Sequence, residues 1–350
     1  MKVLYFGTYE RRYPRNAQVI SCLRRAWVEV LERHEPVWEG VEHKWALGAG
    51  AAARLIAAEL RLLARPGPRA DAVLVGYPGH LDVVAARRAA RGAPLVLNPL
   101  VSLFDTFVGD RRRFRRGSLP ARALLAVDRR VFRNADVVVA DTRAQARLFG
   151  ELGARRVKTI LLGAEERLFT PGWTPPASPT CLFVGKLSPL HGVDMILAAA
   201  RAAPTVRFRL VGSGQLDALL CSKPSNVEHL PWLPYEALAD EYRRSSIALG
   251  VFGTSAKAAR VIPNKAFQAI ACGTPLITGD TPAVRELLRH EQSALLVPPG
   301  DGAALAATIL RLVGDPRLAR RLSEGGLAVY RTRASEEVLG REWRALLEQL

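Results

Sequence analysis

Two stretches of this chain carry residues whose types and order suit the holding of a phosphate. In the first, the apolar run Cys181 to Val184 gives way to Gly185-Lys186-Leu187-Ser188-Pro189-Leu190-His191-Gly192, and helix-forming residues follow from Val193 to Ala202. A strand, a glycine loop and a helix in that order turn backbone N–H groups toward an anion. Lys186 adds a full positive charge, and His191 one that depends on its protonation. In the second stretch Pro263 and Asn264 supply a loop and N-cap chemistry. Lys265 to Cys272 then reads as a helix with Phe267, Ile270 and Ala271 on one face, closed by Gly273. Its open N-terminus offers unpaired N–H groups and a partial positive charge. A further glycine turn, Gly212-Ser213-Gly214, follows the strand-like Val206 to Val211. His80 lies in Tyr77-Pro78-Gly79-His80, a loop at the end of the run Ala72 to Gly76, where open α/β sheets place their ligands.

The elements that must position these residues alternate along the chain. Val3 to Phe6 is a strand running into Gly7-Thr8-Tyr9, and Asn16 is placed to cap a helix with apolar positions from Val19 through Leu23 and Trp27 to Val30 and Leu31. Tyr13-Pro14-Arg15-Asn16 lengthens the loop between them. Ala49 to Leu63 reads as a helix, and Leu95 to Leu97 as a strand that leads through Asn98-Pro99 to Ser102 and Asp105. A carboxylate at Asp105 orients a hydroxyl or caps a turn. Leu119 to Phe132 and Thr142 to Phe149 read as helices around a buried strand, Asp136 to Ala140, with a further strand at Val157 to Leu162. Pro171, Gly172, Pro175, Pro176 and Pro179 form the densest cluster of breakers. It sets the expected boundaries: one domain over 1–170, a linker over 171–179, a second domain over 180–334 and an amphipathic helix over 335–350. Strand-helix alternation in both halves predicts two doubly wound domains.

The run Pro263-Asn264-Lys265, with Phe267-Gln268-Ala269 and Gly273-Thr274-Pro275-Leu276-Ile277, resembles the donor-binding segment of the family-4 retaining glycosyltransferases. The resemblance implies a GT-B fold: two Rossmann-like domains facing a cleft, the N-terminal one on the acceptor side and the C-terminal one holding a nucleoside diphosphate sugar. It implies transfer of that sugar to a glycan or lipid-linked acceptor with retention of configuration and without a metal. No cofactor is implied beyond the nucleotide sugar as co-substrate. Carried over residue by residue, it implies donor contacts at Gly7, Gly185, Lys186, His191, Gly212, Gly214, Arg260, Pro263, Asn264, Lys265 and Gln268. It also implies catalytic roles for His80, near the transferred sugar, and for Lys186 on the leaving diphosphate. Tyr9, Tyr13, Arg15 and Asp105 become candidates for the acceptor side, and the last helix is expected to cross back to the N-terminal domain. The chain departs from the family at two places. The positions of its two glutamates, eight residues apart, hold Arg260 and Gln268, and His191 stands where a lysine is usual. Arg260 has donors only, whereas Gln268 both donates and accepts.

Composition narrows the alternatives. A formal charge of +17, carried by 50 basic residues of which seven are lysine, points either to a compositional preference for arginine or to an anionic partner. The run Arg111-Arg112-Arg113-Phe114-Arg115-Arg116 reads as a solvated loop or as a peripheral contact with anionic membrane. No zinc-finger, helix-turn-helix or RNA-binding signature points to nucleic acid. No apolar run is long enough to span a bilayer, and Cys22, Cys181, Cys221 and Cys272 lack disulfide or metal spacing, so a cytoplasmic protein, at most at the inner face of the membrane, is expected. A dehydrogenase would need G-x-G-x-x-G after an early strand, and Gly7 stands alone. An epimerase would need acidic residues in the cleft loops. The remaining rival is a GT-B scaffold that binds a nucleotide or a partner without transferring sugar.

Overall fold

The computed structural model describes residues 1–39 and 49–350. The chain divides into two compact units. One holds Met1–Val108, Arg113–Leu161 and Glu336–Leu350, and the other Gly109–Arg112 and Leu162–Ser335.

In the first unit β1 (Lys2–Gly7), α1 (Pro14–Arg25), β2 (Glu29–His34), α2 (Ala49–Ala64), β3 (Ala72–Val75), α3 (Val83–Ala90), β4 (Leu95–Leu97), α4 (Leu119–Asn134), β5 (Val137–Ala140), α5 (Arg143–Glu151) and β6 (Val157–Thr159) follow one another. The strands form one parallel sheet in the order β2-β1-β3-β4-β5-β6. Its central strands are continuous apolar runs because helices cover both faces. Leu4, Phe6, Val73, Val75, Leu95, Leu97 and Val138 pack against Ala85, Ala86 and Ala89 of α3 and against Phe132 and Phe149. One sequence expectation is corrected here. The first helix stops at Arg25, and Val30 and Leu31 belong to β2, where they pair with Val3 and Leu4. Trp27 takes a left-handed φ of 61° and Val28 N–H donates back to Leu23 O, so the helix ends in a turn before the β-branched pair Val28 and Val30 can extend it.

In the second unit come β7 (Thr180–Val184), α6 (Val193–Ala202), β8 (Arg207–Val211), β9 (Val227–Leu230), α7 (Leu238–Arg243), β10 (Ile247–Leu249), α8 (Asn264–Cys272), β11 (Leu276–Gly279), β12 (Leu295–Val297), α9 (Gly302–Gly314) and α10 (Pro316–Arg333). This sheet is also parallel, in the order β12-β11-β10-β7-β8-β9. Phe183, Phe208, Leu210, Leu249 and Ile277 meet Ile196, Ala199, Leu305 and Ile309 in its core. The Pro-rich stretch is fastened to this unit. The N–H groups of Gly172 and Trp173 donate to Cys272 O, and the Trp173 indole donates to Ser245 O at 2.8 Å. The division between units accordingly falls at Leu161 and Leu162, ahead of the prolines.

The final helix, α11 (Glu336–Glu348), belongs to the first unit and packs on α1. Trp343 is the largest fully buried side chain among the described residues, Ser21 donates to Glu336 at 2.7 Å, and a Cβ on Gly340 would stand 2.6 Å from Cys22 O. Cys22, Cys181 and Cys272 are buried free thiols and Cys221 is exposed. No helix among the described residues is long and apolar enough to cross a membrane.

Candidate functional site

In the second sheet the chain moves outward from β7 in one direction and from β10 in the other, so the strand order reverses between them. At such a switch point the loops leave in opposite directions and open a crevice at the carboxyl ends of the strands. The loops after β7 and β10 are joined there. Phe252 N–H donates to His191 O and Gly253 N–H to Leu190 O, both at 3.2 Å. Gly192 makes this approach possible, since a Cβ on it would lie 2.7 Å from the Phe252 carbonyl carbon. Gly185 N–H donates to Val211 O, Leu187 N–H to Ser213 O, and a Cβ on Gly212 would lie 2.1 Å from Gly185 O. Gly214 is pressed on Leu187 O in the same way. Gly212 and Gly214 therefore bring the ends of β7 and β8 together and fix the loop that carries Lys186.

The N-terminus of α8 opens on this loop. Pro263 occupies the N-cap position and no side chain caps the end; Asn264, expected as the cap, is the first helical residue instead. Lys265 is buried, and its Nζ stands 3.6 Å from the centroid of the Phe183 ring without a hydrogen-bond partner. It lies 2.8 Å from the point a Cβ on Gly185 would occupy, so the glycine, at φ 147°, leaves room for the amine. Burial pushes the Lys265 amine well below its ordinary range. A desolvated cation over a ring returns on the order of 2 kcal/mol, against the several kcal/mol that burying an unpaired ammonium costs. His191 is half-buried beside it. Its Nδ1 lies on Lys186 O and within 3.2 Å of the Ser188 hydroxyl, and burial, then Lys265, Lys257 and Arg111, hold its pKa well below the usual value. Lys186 keeps an exposed head, and partial desolvation followed by Arg111 lowers its pKa. Five basic side chains thus act on one loop.

Gln268 sits one helical turn deeper, within a tyrosine clamp. Tyr242 OH donates to its Oε1 and its Nε2 donates to Tyr235 OH, both at 3.3 Å. Each end of the amide keeps a second hydrogen-bonding position, one N–H on Nε2 and one lone pair on Oε1. Arg260 closes the short helical turn Ala258–Arg260 ahead of the helix.

Most of the chain matches models of one family of known proteins. The profile of the glycosyl transferase 4-like domain matches residues 3–165, and that of the glycosyl transferases group 1 matches residues 178–315. D-inositol 3-phosphate glycosyltransferase 1 of Catenulispora acidiphila is 30% identical over 303 residues, which is 71% of this chain and 68% of that protein. This chain belongs to the group 1 glycosyltransferases. A GDP-mannose-dependent alpha-mannosyltransferase of Mycobacterium tuberculosis is 26% identical over 80% of this chain and 70% of its own length. For three further curated inositol phosphate glycosyltransferases the chain spans only 52–60% of their lengths. Among solved structures, sucrose-phosphate synthase of Thermosynechococcus elongatus shares the fold with a TM-score of 0.78 at 18% identity, over 99% of this chain and 98% of that one. Anabaena Alr3699/HepE in complex with UDP-glucose shares it at 0.71 and 17% identity, over the full length of both. The fold is GT-B.

In the first unit, most of the residues singled out by sequence are engaged by partners inside the unit. Tyr9 is wholly buried and donates to Glu32 at 2.7 Å. Arg15 is wholly buried, donates to Asn98 Oδ1 and Leu161 O, and lies 5.8 Å from the Trp343 ring. Neither reaches a surface, which corrects their reading as walls for an acceptor: each side chain is consumed by partners inside the unit. Gly7, at φ 127°, makes room for Asp82, which accepts from the N–H and hydroxyl of Thr8, both at 2.9 Å. His80 is buried, donates from Nδ1 to Pro78 O at 2.5 Å, and holds Nε2 3.5 Å from Asp128. Asp128 accepts from Ser102 Oγ and from the N–H groups of Leu103 and Phe104, and thereby fixes the loop that precedes Asp105. Burial lowers the His80 pKa, which suits a brace within the loop. Tyr13 stacks on Tyr77 with ring centroids 4.6 Å apart, and Asp105 is buried, its N–H donating to Ser102 Oγ. Sequence reasoning passed over Phe183, Lys257, Tyr235, Tyr242 and Asp128. For the two tyrosines a signal existed, since they lie seven residues apart and so on one side of a helical segment.

Proposed function

We propose that this glycosyltransferase moves a sugar from a nucleoside diphosphate sugar to a glycan or lipid-linked acceptor, with retention of configuration and without a metal. The observation that carries this reading is the junction at the switch point of the second sheet. There the loop of Gly185, Lys186 and His191 meets the uncapped start of α8 with Lys265 in its floor. Such a site holds a diphosphate by backbone N–H groups and by cations that stabilise the charge developing as the sugar leaves. Lys186, Lys265 and Lys257 supply the charge that a metal ion provides elsewhere. The acceptor hydroxyl attacks on the face from which the diphosphate departs, and a phosphate oxygen takes its proton, so no protein nucleophile is needed. The first unit takes the acceptor, with Tyr13 and Asp105 as its remaining candidate contacts, and His80 acts by holding its loop. A cytoplasmic setting at an anionic surface fits the basic charge.

A second reading, a scaffold that binds nucleotide without transfer, is favoured by one observation. No carboxylate stands at positions 260 and 268, and Gln268 is hydrogen-bonded to Tyr235 and Tyr242. Calorimetry with UDP, GDP and ADP, followed by transfer assays with sugar donors of the base that binds, separates the two. Micromolar binding that weakens about tenfold or more in Lys186→Ala is expected, with release of nucleoside diphosphate when an acceptor is added. Binding without any release from a panel of donors and acceptors favours the scaffold.

A further inference from the structure

We propose that the donor diphosphate enters its site together with a proton, which Lys265 and His191 take up as the anion arrives; this rests on the reading of the second unit as the donor site. The geometry of both groups requires it. His191 Nδ1 faces Lys186 O, and a carbonyl accepts only, so Nδ1 must carry the hydrogen and donate. In the neutral ring Nε2 then presents a lone pair. A phosphate oxygen brought to that nitrogen meets two acceptors face to face until the ring gains its second proton. Lys265 lies beside it, since a Cβ on Gly185 would stand 2.8 Å from Lys265 Nζ and 3.6 Å from His191 Cε1. Its Nζ is sealed between the Phe183 ring and Gly185 and has no hydrogen-bond partner.

The surroundings of the pair hold it without charge in the empty site. Burial acts first on His191, the side chains that act on it besides, Lys265, Lys257 and Arg111, are all basic and none supplies a negative charge, and on Lys265 the acting influence is burial itself. The carboxylates of α7 are engaged elsewhere, Glu241 by Arg209 and Asp240 by Arg243. An arriving diphosphate is the counter-ion that this floor lacks, and its negative charge favours the protonated form of both groups. Lys186, with its exposed head, makes the first attraction, and the floor gains its charge only when the anion covers it. When the nucleoside diphosphate leaves, the proton returns to solvent, and the site does not retain its product with a permanent buried cation. The lysine expected at position 191 is in this way replaced by a pair whose charge follows occupancy.

Calorimetry of UDP, GDP and ADP binding to the full chain at about pH 8, in Hepes and in Tris, reads proton uptake directly. The heats differ by the ionisation enthalpy of the buffer times the number of protons taken up. About one proton is expected, with affinity falling about tenfold per pH unit above pH 7.5. In Lys265→Met, whose side chain fills the same space over Phe183, uptake and the pH slope should both shrink. Should that variant not fold, the wild-type buffer comparison still decides. Nucleotide binding with equal heats in both buffers overturns this proposal and leaves the donor site standing. If none of the three nucleotides binds, the donor-site reading falls and this proposal with it.

Discussion

At the scale of single residues, Lys186 of the loop after β7 and Lys265 of α8 are the same residue type and differ in what surrounds the amine. Lys186 has water at its head, whereas Lys265 has a phenyl ring and a glycine. The same contrast governs the acids of the first unit. Glu59 of α2 is half-buried beside Asp82, and burial, then the hydrogen bond and charge of Asp82, raise its pKa to about 10. In the unfolded chain it titrates near the usual carboxylate value, so the folded state binds one proton more between that value and about 10. Stability contributed by this group is therefore full at acid pH and declines as pH rises through that window. Glu59→Gln keeps a donor toward Asp82 and removes the titration. It should stabilise the protein by about 1–3 kcal/mol at pH 8 and change little at pH 4. Urea unfolding at the two pH values measures this, and an equal effect at both would show that the pair does not share a proton.

At the scale of elements, the loop after β7 is held because two strand ends are drawn together by residues without side chains. A Cβ on Gly212 would stand 2.1 Å from Gly185 O, and the residue holds a φ of 128°. Gly212→Ala must therefore both strain its own backbone and push β7 from β8. A loss of about 3 kcal/mol in denaturant unfolding is expected, with nucleotide affinity reduced further because Lys186 moves with the loop. A loss below about 1 kcal/mol would mean that the strand ends part freely. The glycines, the alternation and α8 were legible in sequence, since each is written in residues close along the chain. The supports were not. Arg15 reads as a loop cation, but its partners Asn98, Leu161 and Trp343 come from elements far along the chain. The tyrosine partners of Gln268 do not show in sequence because Tyr235 and Tyr242 lie 33 and 26 positions away. The end of α1 was missed because the apolar spacing of a helix and of the strand after it run on without a breaker.

At the scale of the whole molecule, the +17 charge decides what the protein collects around itself. Part of it is gathered on one element. Arg122, Arg129, Arg130 and Arg133 line a groove of about 670 Å³ along the solvent face of α4, with Leu125 and Ala126 between them, while Asp128, Val131 and Phe132 face inward. No acidic side chain among the described residues forms a salt bridge with these four, in contrast with Arg87, Arg209 and Arg285, each neutralised by a carboxylate. Leu119, at the start of the helix, is 78% exposed. A cationic groove with apolar side chains between the charges suits a surface of anionic headgroups, each basic residue contributing about 1 kcal/mol near it. The protein should therefore sediment with phosphatidylglycerol vesicles at low ionic strength, remain free of phosphatidylcholine vesicles, and be released by about 0.5 M salt, where screening shortens to about 4 Å. Arg129→Glu with Arg133→Glu should weaken that binding about tenfold or more without altering thermal stability, because both side chains are exposed. If the double variant binds as the wild type does, the charge acts through the molecule as a whole and α4 has no special part in it; if neither binds, the arginine excess is a matter of composition alone.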